Sequence, residues 1–451
     1  MRRRHPASRA PSHVAGGVLW QNDGVRRILL VTFSYPPDPA SGSVRPAGLV
    51  KYLPRFGWEV TVLTPRPPEG AQPTGNLVGV PFQSRRTALK ERLGIVPAVP
   101  WAQQLSALPL GSNAYLRSFY RRSLQWSLSA AGYLDHVNSW VPAALQALPS
   151  ITPLGRIDAV VSTGPPASCH VIASRLRREL RCRWIADVRD LWSDSPYGEH
   201  GWIRRCLETR LEKQTLRQAD ALVAVSPPWA ELLGQRYAPR AASWIPNGFD
   251  PDEFPREVPP APSESFSITY TGTLYGGKRT PELLFAAVRE LIDDGILPAS
   301  RLRIHFYSPV EPWLPALVRR YDLSAVVQLH GFVPRAAAIR AQRESQLLLL
   351  LRWDSPGEAH VVSGKLFEYL GSRRPILALG GPPGVATEIL TETRAGVHVT
   401  SRSRLRELLV TAFESFERYG SVPDAGDESA ISRYNQIEMA RKFAEVLERT
   451  A

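Results

Sequence analysis

Short apolar runs alternate with amphipathic stretches of helix length along almost the whole chain. RRILLVTF (26–33) is apolar and β-branched and stops at the breaker-rich YPPDPASGS, which predicts a buried strand and then a loop. VRPAGLVKYLPRFG (44–57) carries apolar residues at helical spacing and ends in Gly, and WEVTVLT (58–64) predicts the second strand. Strand, loop, helix and strand in that order form a βαβ unit, so a parallel sheet is expected. The alternation continues through RIDAVVST (156–163), RWIADV (183–188), DALVAVS (220–226) and ASWIPNG (242–248). A second series follows: FSITYTG (266–272), a helix over 281–294, LRIHFYS (302–308), VVQLHGF (326–332), QLLLLLR (346–352) and RPILALG (374–380). Continuous apolar runs of this kind suit strands covered on both faces.

The pattern predicts two tandem doubly wound α/β domains, Rossmann-like, facing across a cleft. Residues 1–24 are rich in Arg, Pro and Ser and are expected to be a disordered basic tail. The first domain is expected over 25–250. A Pro- and acid-rich linker follows over 251–265, then a second domain over 266–430. A final helix over 431–451 is expected to pack back on the first domain. Residues 84–130 break the alternation: seven cations, from Arg85 to Arg122, face a single acid, Glu91, with Trp101, Tyr115, Phe119, Tyr120 and Trp126 interleaved. Such an insertion can lie on an anionic bilayer, or it can be a solvated helical segment packed on the first domain.

Composition narrows the classes. With 451 residues, 43% hydrophobic and 22% charged, the chain is globular and long enough for two or three domains. No apolar run reaches the ~20 residues of a membrane-spanning helix, and the basic start has no apolar core behind it, so neither a span nor a secretory signal is expected. The expected location is cytoplasmic, with peripheral contact on the inner face of the plasma membrane as an option. Cys169, Cys182 and Cys206 form no CxxC, and the histidines show no HxH or HxxxH, so no disulfide framework and no metal site are expected. The net charge of +13 suits an anionic partner, yet only six of the 55 cations are Lys, as a GC-rich coding bias would also give. No nucleic-acid recognition module is present, and neither GxxxxGK[ST] nor GxSxG occurs, which disfavours nucleotide hydrolysis and serine hydrolase chemistry.

The chemistry concentrates in two segments of the second domain. In HVVSGKLFEYLGSRRPILALGGPPG (360–384), Ser363 and Gly364 mark a helix N-terminus with Lys365 in its first turn. Free amides and the helix dipole there suit a phosphate. Glu368, at i+3 from Lys365, can face the same ligand and accept from paired hydroxyls such as a ribose presents. In YTGTLYGGKRTPELL (270–284), a strand ends at Gly272 and a Gly-rich loop leads to Lys278 and Arg279, two cations able to clamp a diphosphate. In the first domain, WIADVRDLWSDSP places Asp187, Arg189, Asp190 and Asp194 past a strand end. An Asp there can take a proton or steady positive charge; the same residues can also serve as helix caps and an ion pair. Ser162-Thr163-Gly164 ends a neighbouring strand; Thr163 and Gly164, with Arg189, are expected to line the acceptor side, the alternative being a plain turn, and Gly42 and Arg45 follow the first strand. Gly42 is expected to permit close approach of a phosphate and Arg45 to neutralise it.

Three motifs carry a resemblance. YPPDPASGSVRPAGLVKYLPRFGWEVTVLT, WIPNGFDPDEF and GKLFEYLGSRRPILALG are similar to the opening loop and helix, the linker entry and the FEYLA(A/S)G(R/K)P(I/V)LA segment of family 4 glycosyltransferases. The resemblance spans about 26–450. It implies the two-domain GT-B fold, a retaining, metal-independent transfer and a nucleoside-diphosphate-sugar donor bound mainly by the second domain; such a donor is a substrate, and no cofactor is implied. Lys278 matches the family's diphosphate lysine and Glu368 its ribose glutamate. Two positions depart from the pattern. Thr273 stands where an Arg is frequent, leaving Lys365 or Arg279 to replace it, and His360, with Glu358 nearby, stands where a Glu is frequent. The implied acceptor is a glycan, a lipid-linked sugar or a small molecule, in surface polysaccharide or other glycan synthesis. A sugar-nucleotide 2-epimerase on the same scaffold is the alternative.

Overall fold

The computed structural model describes residues 26–65, 76–82, 138–151, 156–194, 202–237, 242–255 and 264–450. The basic tail and the basic-aromatic segment 84–130 lie outside them. The described residues form two parallel sheets. The first joins β1 (Arg26–Thr32), β2 (Trp58–Pro65), β3 (Asn76–Val80), β4 (Ala159–Gly164), β5 (Arg183–Val188), β6 (Ala221–Ala224) and β7 (Ala242–Trp244) in the order β3-β2-β1-β4-β5-β6-β7. The second joins β8 (Phe266–Thr271), β9 (Leu302–Tyr307), β10 (Val327–Leu329), β11 (Leu347–Leu351), β12 (Ile376–Leu379) and β13 (Gly396–Val399) in the order β10-β9-β8-β11-β12-β13.

The apolar runs explain the layering. Along β1, Leu29 and Val31 enter one core cluster while Ile28 and Leu30 enter the cluster on the opposite face. Along β11, Leu347, Leu349 and Leu351 face one cluster and Leu348 and Leu350 the other. A strand buried on both faces has no polar register, which is why these runs are unbroken.

Both sheets reverse direction at an internal point, between β1 and β4 in the first and between β8 and β11 in the second. In open α/β sheets the crevice at such a reversal, beyond the strands' carboxyl ends, is where ligands bind. The last helix, Gln436–Arg449, places Met439, Ala440, Phe443 and Leu447 in the first domain's core with Leu49 and Tyr52. It starts beside the first domain's exit, where Phe249 bridges Asn435. Gly248 has no alternative there, since a Cβ would stand 2.5 Å from the Asn435 backbone. No helix among the described residues is long and apolar enough to cross a membrane.

Candidate active site

The two reversal crevices are built from the same kinds of loop but filled differently. In the first domain the crevice is occupied by the protein's own arginines. Arg45 and Asp187 form a buried two-pronged pair, Nε to Oδ2 and Nη2 to Oδ1 each at 2.9 Å. Arg45 also donates to the carbonyls of Ile245 at 3.0 Å and Pro246 at 2.9 Å and to Asn247 Oδ1 at 3.2 Å. Its guanidinium sits 5.1 Å from the Phe443 ring. Every donor of the fork is spent. Asp187 is likewise spent, accepting from Thr163 Oγ1 at 2.8 Å as well as from Arg45. Arg45 is expected at a phosphate and Asp187 near the reacting centre. The structure instead makes them a clasp joining β5, the helix Val44–Tyr52, the chain's exit at 245–247 and the last helix. Thr163 is a fully buried support for that clasp.

Arg189 closes the rest of this crevice. It donates to the Gly164 carbonyl at 3.2 Å, to Gly42 at 2.8 Å and to Pro165 at 3.0 Å, so one side chain staples the loops after β1, β4 and β5. Burial pulls its pKa down, while Asp187 and Asp190 push it up. Gly42, expected to admit a ligand, contributes its carbonyl to this staple. Behind Gly164 lies buried His170, whose Nδ1 is 2.8 Å from Ser162 Oγ. A Cβ on Gly164 would stand 2.5 Å from His170 Nε2. Ser162 Oγ accepts from Trp184 Nε1 at 2.8 Å, which leaves its own proton for His170 Nδ1. Burial lowers the His170 pKa to about 4, so the ring is neutral. Asp194 is held by Arg205 and Arg236. Asp190 differs from all of these: half-buried, it makes no hydrogen bond or ion pair among the described residues. Burial raises its pKa and Arg189 lowers it.

The second domain's crevice is open and cationic. The helix Gly364–Ser372 begins at Ser363 with no side-chain cap, and among the described residues nothing lies within 4 Å of a Cβ placed on Gly364. Its first amides are therefore presented outward. Gly272 has φ +107°, and a Cβ there would stand 2.1 Å from Lys365 Cε. That missing side chain lets Lys365 reach across to β8, where Nζ donates to Tyr270 Oη at 2.8 Å and lies 3.5 Å from the carbonyl of exposed Thr273. Burial drives the Lys365 pKa well below its ordinary value; Arg279 adds to this and Glu368 and Glu358 oppose it. Lys278 Nζ sits 4.6 Å from the Trp353 ring, so the loops after β8 and β11 meet over this cation.

Other expected residues have partners here. Arg279 is buried and pairs with Glu358 at 3.4 Å, while Glu358 Oε2 has no hydrogen-bond partner among the described residues. Glu368 is half-buried and bound by Arg335, with Gln342 Nε2 at 3.4 Å. Arg335 also holds Glu253 at 2.8 Å, tying the connector between the domains to Glu368. His360 is exposed at the crevice rim. Arg335, Tyr270 and Trp353 went unnoticed in the sequence, because each acts through a partner far away along the chain. Just before the open helix end, Val361 is 7% exposed and sits in the same core cluster as Val188 and Leu191 of the first domain. The rim that carries His360 and Ser363 is thereby anchored by Val361 in the first domain's buried cluster.

Residues 42–248 match the family model described as "Glycosyl transferase 4-like domain". No curated protein matches the chain. Among solved structures, HepE from Anabaena in complex with UDP and glucose is similar at TM-score 0.60 and 13% identity, over 94% of this chain and 100% of that one. Sucrose-phosphate synthase from Thermosynechococcus elongatus is similar at TM-score 0.59 and 13% identity, over 94% and 98%. A putative UDP-N-acetylglucosamine 2-epimerase from Listeria monocytogenes is similar at TM-score 0.50 and 12% identity, over 94% and 95%. At these identities the likeness is one of fold.

Proposed function

For a chain whose residues 42–248 match the glycosyl transferase 4-like family model and whose two sheets form a GT-B fold, we propose a retaining transfer of a sugar from a nucleoside diphosphate to an acceptor hydroxyl. One observation carries this reading: the second domain's reversal crevice is open and cationic, while the first domain's is closed by Arg189. The donor diphosphate belongs at the uncapped helix end at Ser363–Gly364, between Lys278 and Lys365. Glu368 takes the ribose hydroxyls, in place of part of its contact with Arg335.

In the transfer, the bond from the anomeric carbon to the diphosphate oxygen breaks and a bond to the acceptor oxygen forms on the same face. The electron pair leaves with the diphosphate, whose charge is met by the two lysines and the helix amides. Asp190, without a hydrogen bond or ion pair among the described residues and with its pKa raised by burial, takes the acceptor hydroxyl's proton. The positive side chains do the work a divalent cation does elsewhere, so turnover is expected to survive a chelator. That the HepE structure contains UDP and glucose supports a uridine nucleotide donor. The acceptor is a glycan, a lipid-linked sugar or a small molecule.

The test is donor turnover with candidate acceptors, with and without chelator, followed by the product's anomeric configuration. A retained linkage supports the reading. An epimerised donor with no acceptor consumed would assign the chain to the epimerases of this fold, and loss in chelator with rescue by manganese would remove the lysines from leaving-group stabilisation.

A further inference from the structure

At the opposite end of the first sheet, where β4, β5 and β6 begin, lies a solvent-open cavity of about 840 Å³. Its walls carry Arg156, Arg177, Arg178, Arg181, Arg183 and Arg217, against two acids, Asp158 and Asp220. Both acids are already engaged. Asp158 Oδ2 accepts the Arg27 amide at 2.9 Å and Oδ1 lies 3.4 Å from Arg156. Asp220 Oδ2 accepts the Trp184 amide at 2.9 Å and meets Arg177 at 3.3 Å.

The arginines come from four separate segments. Arg177 and Arg178 end the helix Ser168–Leu180, where cations suit the helix dipole. That account does not reach Arg156 ahead of β4, Arg183 opening β5, or Arg217 after the helix Trp202–Leu216. Arg181 and Arg217 make no ion pair among the described residues, and Arg183 merely donates to the Leu447 carbonyl at 3.2 Å. Six guanidiniums converging on one concavity repel one another unless an anion lies between them. The apolar lining is confined to Ile157, Cys182 and Ala219, so an apolar ligand has little to bind. Each guanidinium is a planar fork matched to phosphate oxygens.

We propose that this cavity is a second anion site, separate from the transfer site, that binds a compact cluster of phosphate groups. The cluster is either a free oligophosphate or a phosphomonoester headgroup at a membrane surface. The excess of four positive charges among the lining residues matches an anion such as tripolyphosphate.

The test uses the full chain and two probes. Inorganic tripolyphosphate is titrated calorimetrically at several salt concentrations; phosphatidylcholine vesicles with and without phosphatidic acid are sedimented. Wild type is compared with the triple variant Arg156→Gln/Arg178→Gln/Arg217→Gln, and with a control of equal charge loss, Arg319→Gln/Arg340→Gln/Arg404→Gln, on the second domain's exposed surface. Thermal melts confirm that all three are folded. The expected result is one-to-one tripolyphosphate binding that weakens with salt, falls at least tenfold in the triple variant and is unchanged in the control. Donor binding is expected to be the same in all three. Phosphatidic-acid-dependent sedimentation lost only in the triple variant, without tripolyphosphate binding, assigns the site to the headgroup. Absence of binding to both probes, or equal loss in the control, overturns the proposal.

Discussion

β1 and β8 hold the same place in their sheets, each at the reversal of strand order, yet the loops beyond them differ. Beyond β1 the two arginines are satisfied by the protein, Arg45 by Asp187 and Arg189 by three carbonyls. Beyond β8 a lysine is drawn into a half-buried place against a tyrosine, and a helix begins without a cap. The difference teaches that a cation in a crevice is informative only with its partners. One whose every hydrogen-bond donor is spent on the protein is architecture. One held beside unclaimed amides is available to a ligand.

The comparison breaks most visibly at Arg45. Arg45→Ala leaves Asp187 buried and unpaired and is expected to cost about 3–5 kcal/mol of stability in denaturant unfolding, whereas Arg45→Met combined with Asp187→Leu should recover most of it. Little loss in Arg45→Ala would mean the clasp is not structural. On the same closed side, His170 is neutral in the fold with a pKa of about 4 against an ordinary 6.5. The unfolded chain therefore binds the proton first. Stability from this group is complete above about pH 6.5 and is lost as pH falls toward 4, in total on the order of 3 kcal/mol. His170→Gln should flatten that part of the acid limb.

On the open side the expected effects fall on ligands. Glu368→Ala should weaken donor binding by about 1–3 kcal/mol, while Lys278→Ala should weaken the diphosphate far more than the free nucleoside. Equal loss for both ligands would place Lys278 away from the phosphates. The smallest effect is a proton. Without an anion, burial disfavours the Lys365 ammonium. A diphosphate beside it favours the charge, so nucleoside diphosphate binding should take up a fraction of a proton and weaken as pH rises toward the ordinary lysine pKa. Calorimetry in buffers of different ionisation enthalpy measures this, and Lys365→Met should abolish it.

The strands were legible because a strand buried on both faces leaves an unbroken apolar run. Two strands escaped. In β3, Gly79 interrupts a short run at the sheet edge, and β13 is four residues with a polar His398, whose Nε2 lies 3.0 Å from the Gly380 carbonyl. In the helix Gly364–Ser372, the placement of Lys365 and Glu368 one turn apart was legible because local spacing fixes it, while the partners that hold them, Tyr270 and Arg335, were not. The pairing of Arg45 with Asp187 was not, because 142 positions separate them and only the sheet order brings them together. Local spacing proposed chemistry for these residues, and long-range topology decided which were already occupied.

Val361 belongs by sequence to the second domain and by burial to the first domain's core. Withdrawing a fully buried valine into water costs about 1.5–3 kcal/mol. A rotation that drew the domains apart far enough to release this one side chain would thus be disfavoured by roughly one to two orders of magnitude in population. Burial of this one side chain thus favours the apposed arrangement with the site empty, and any opening of the cleft works against it.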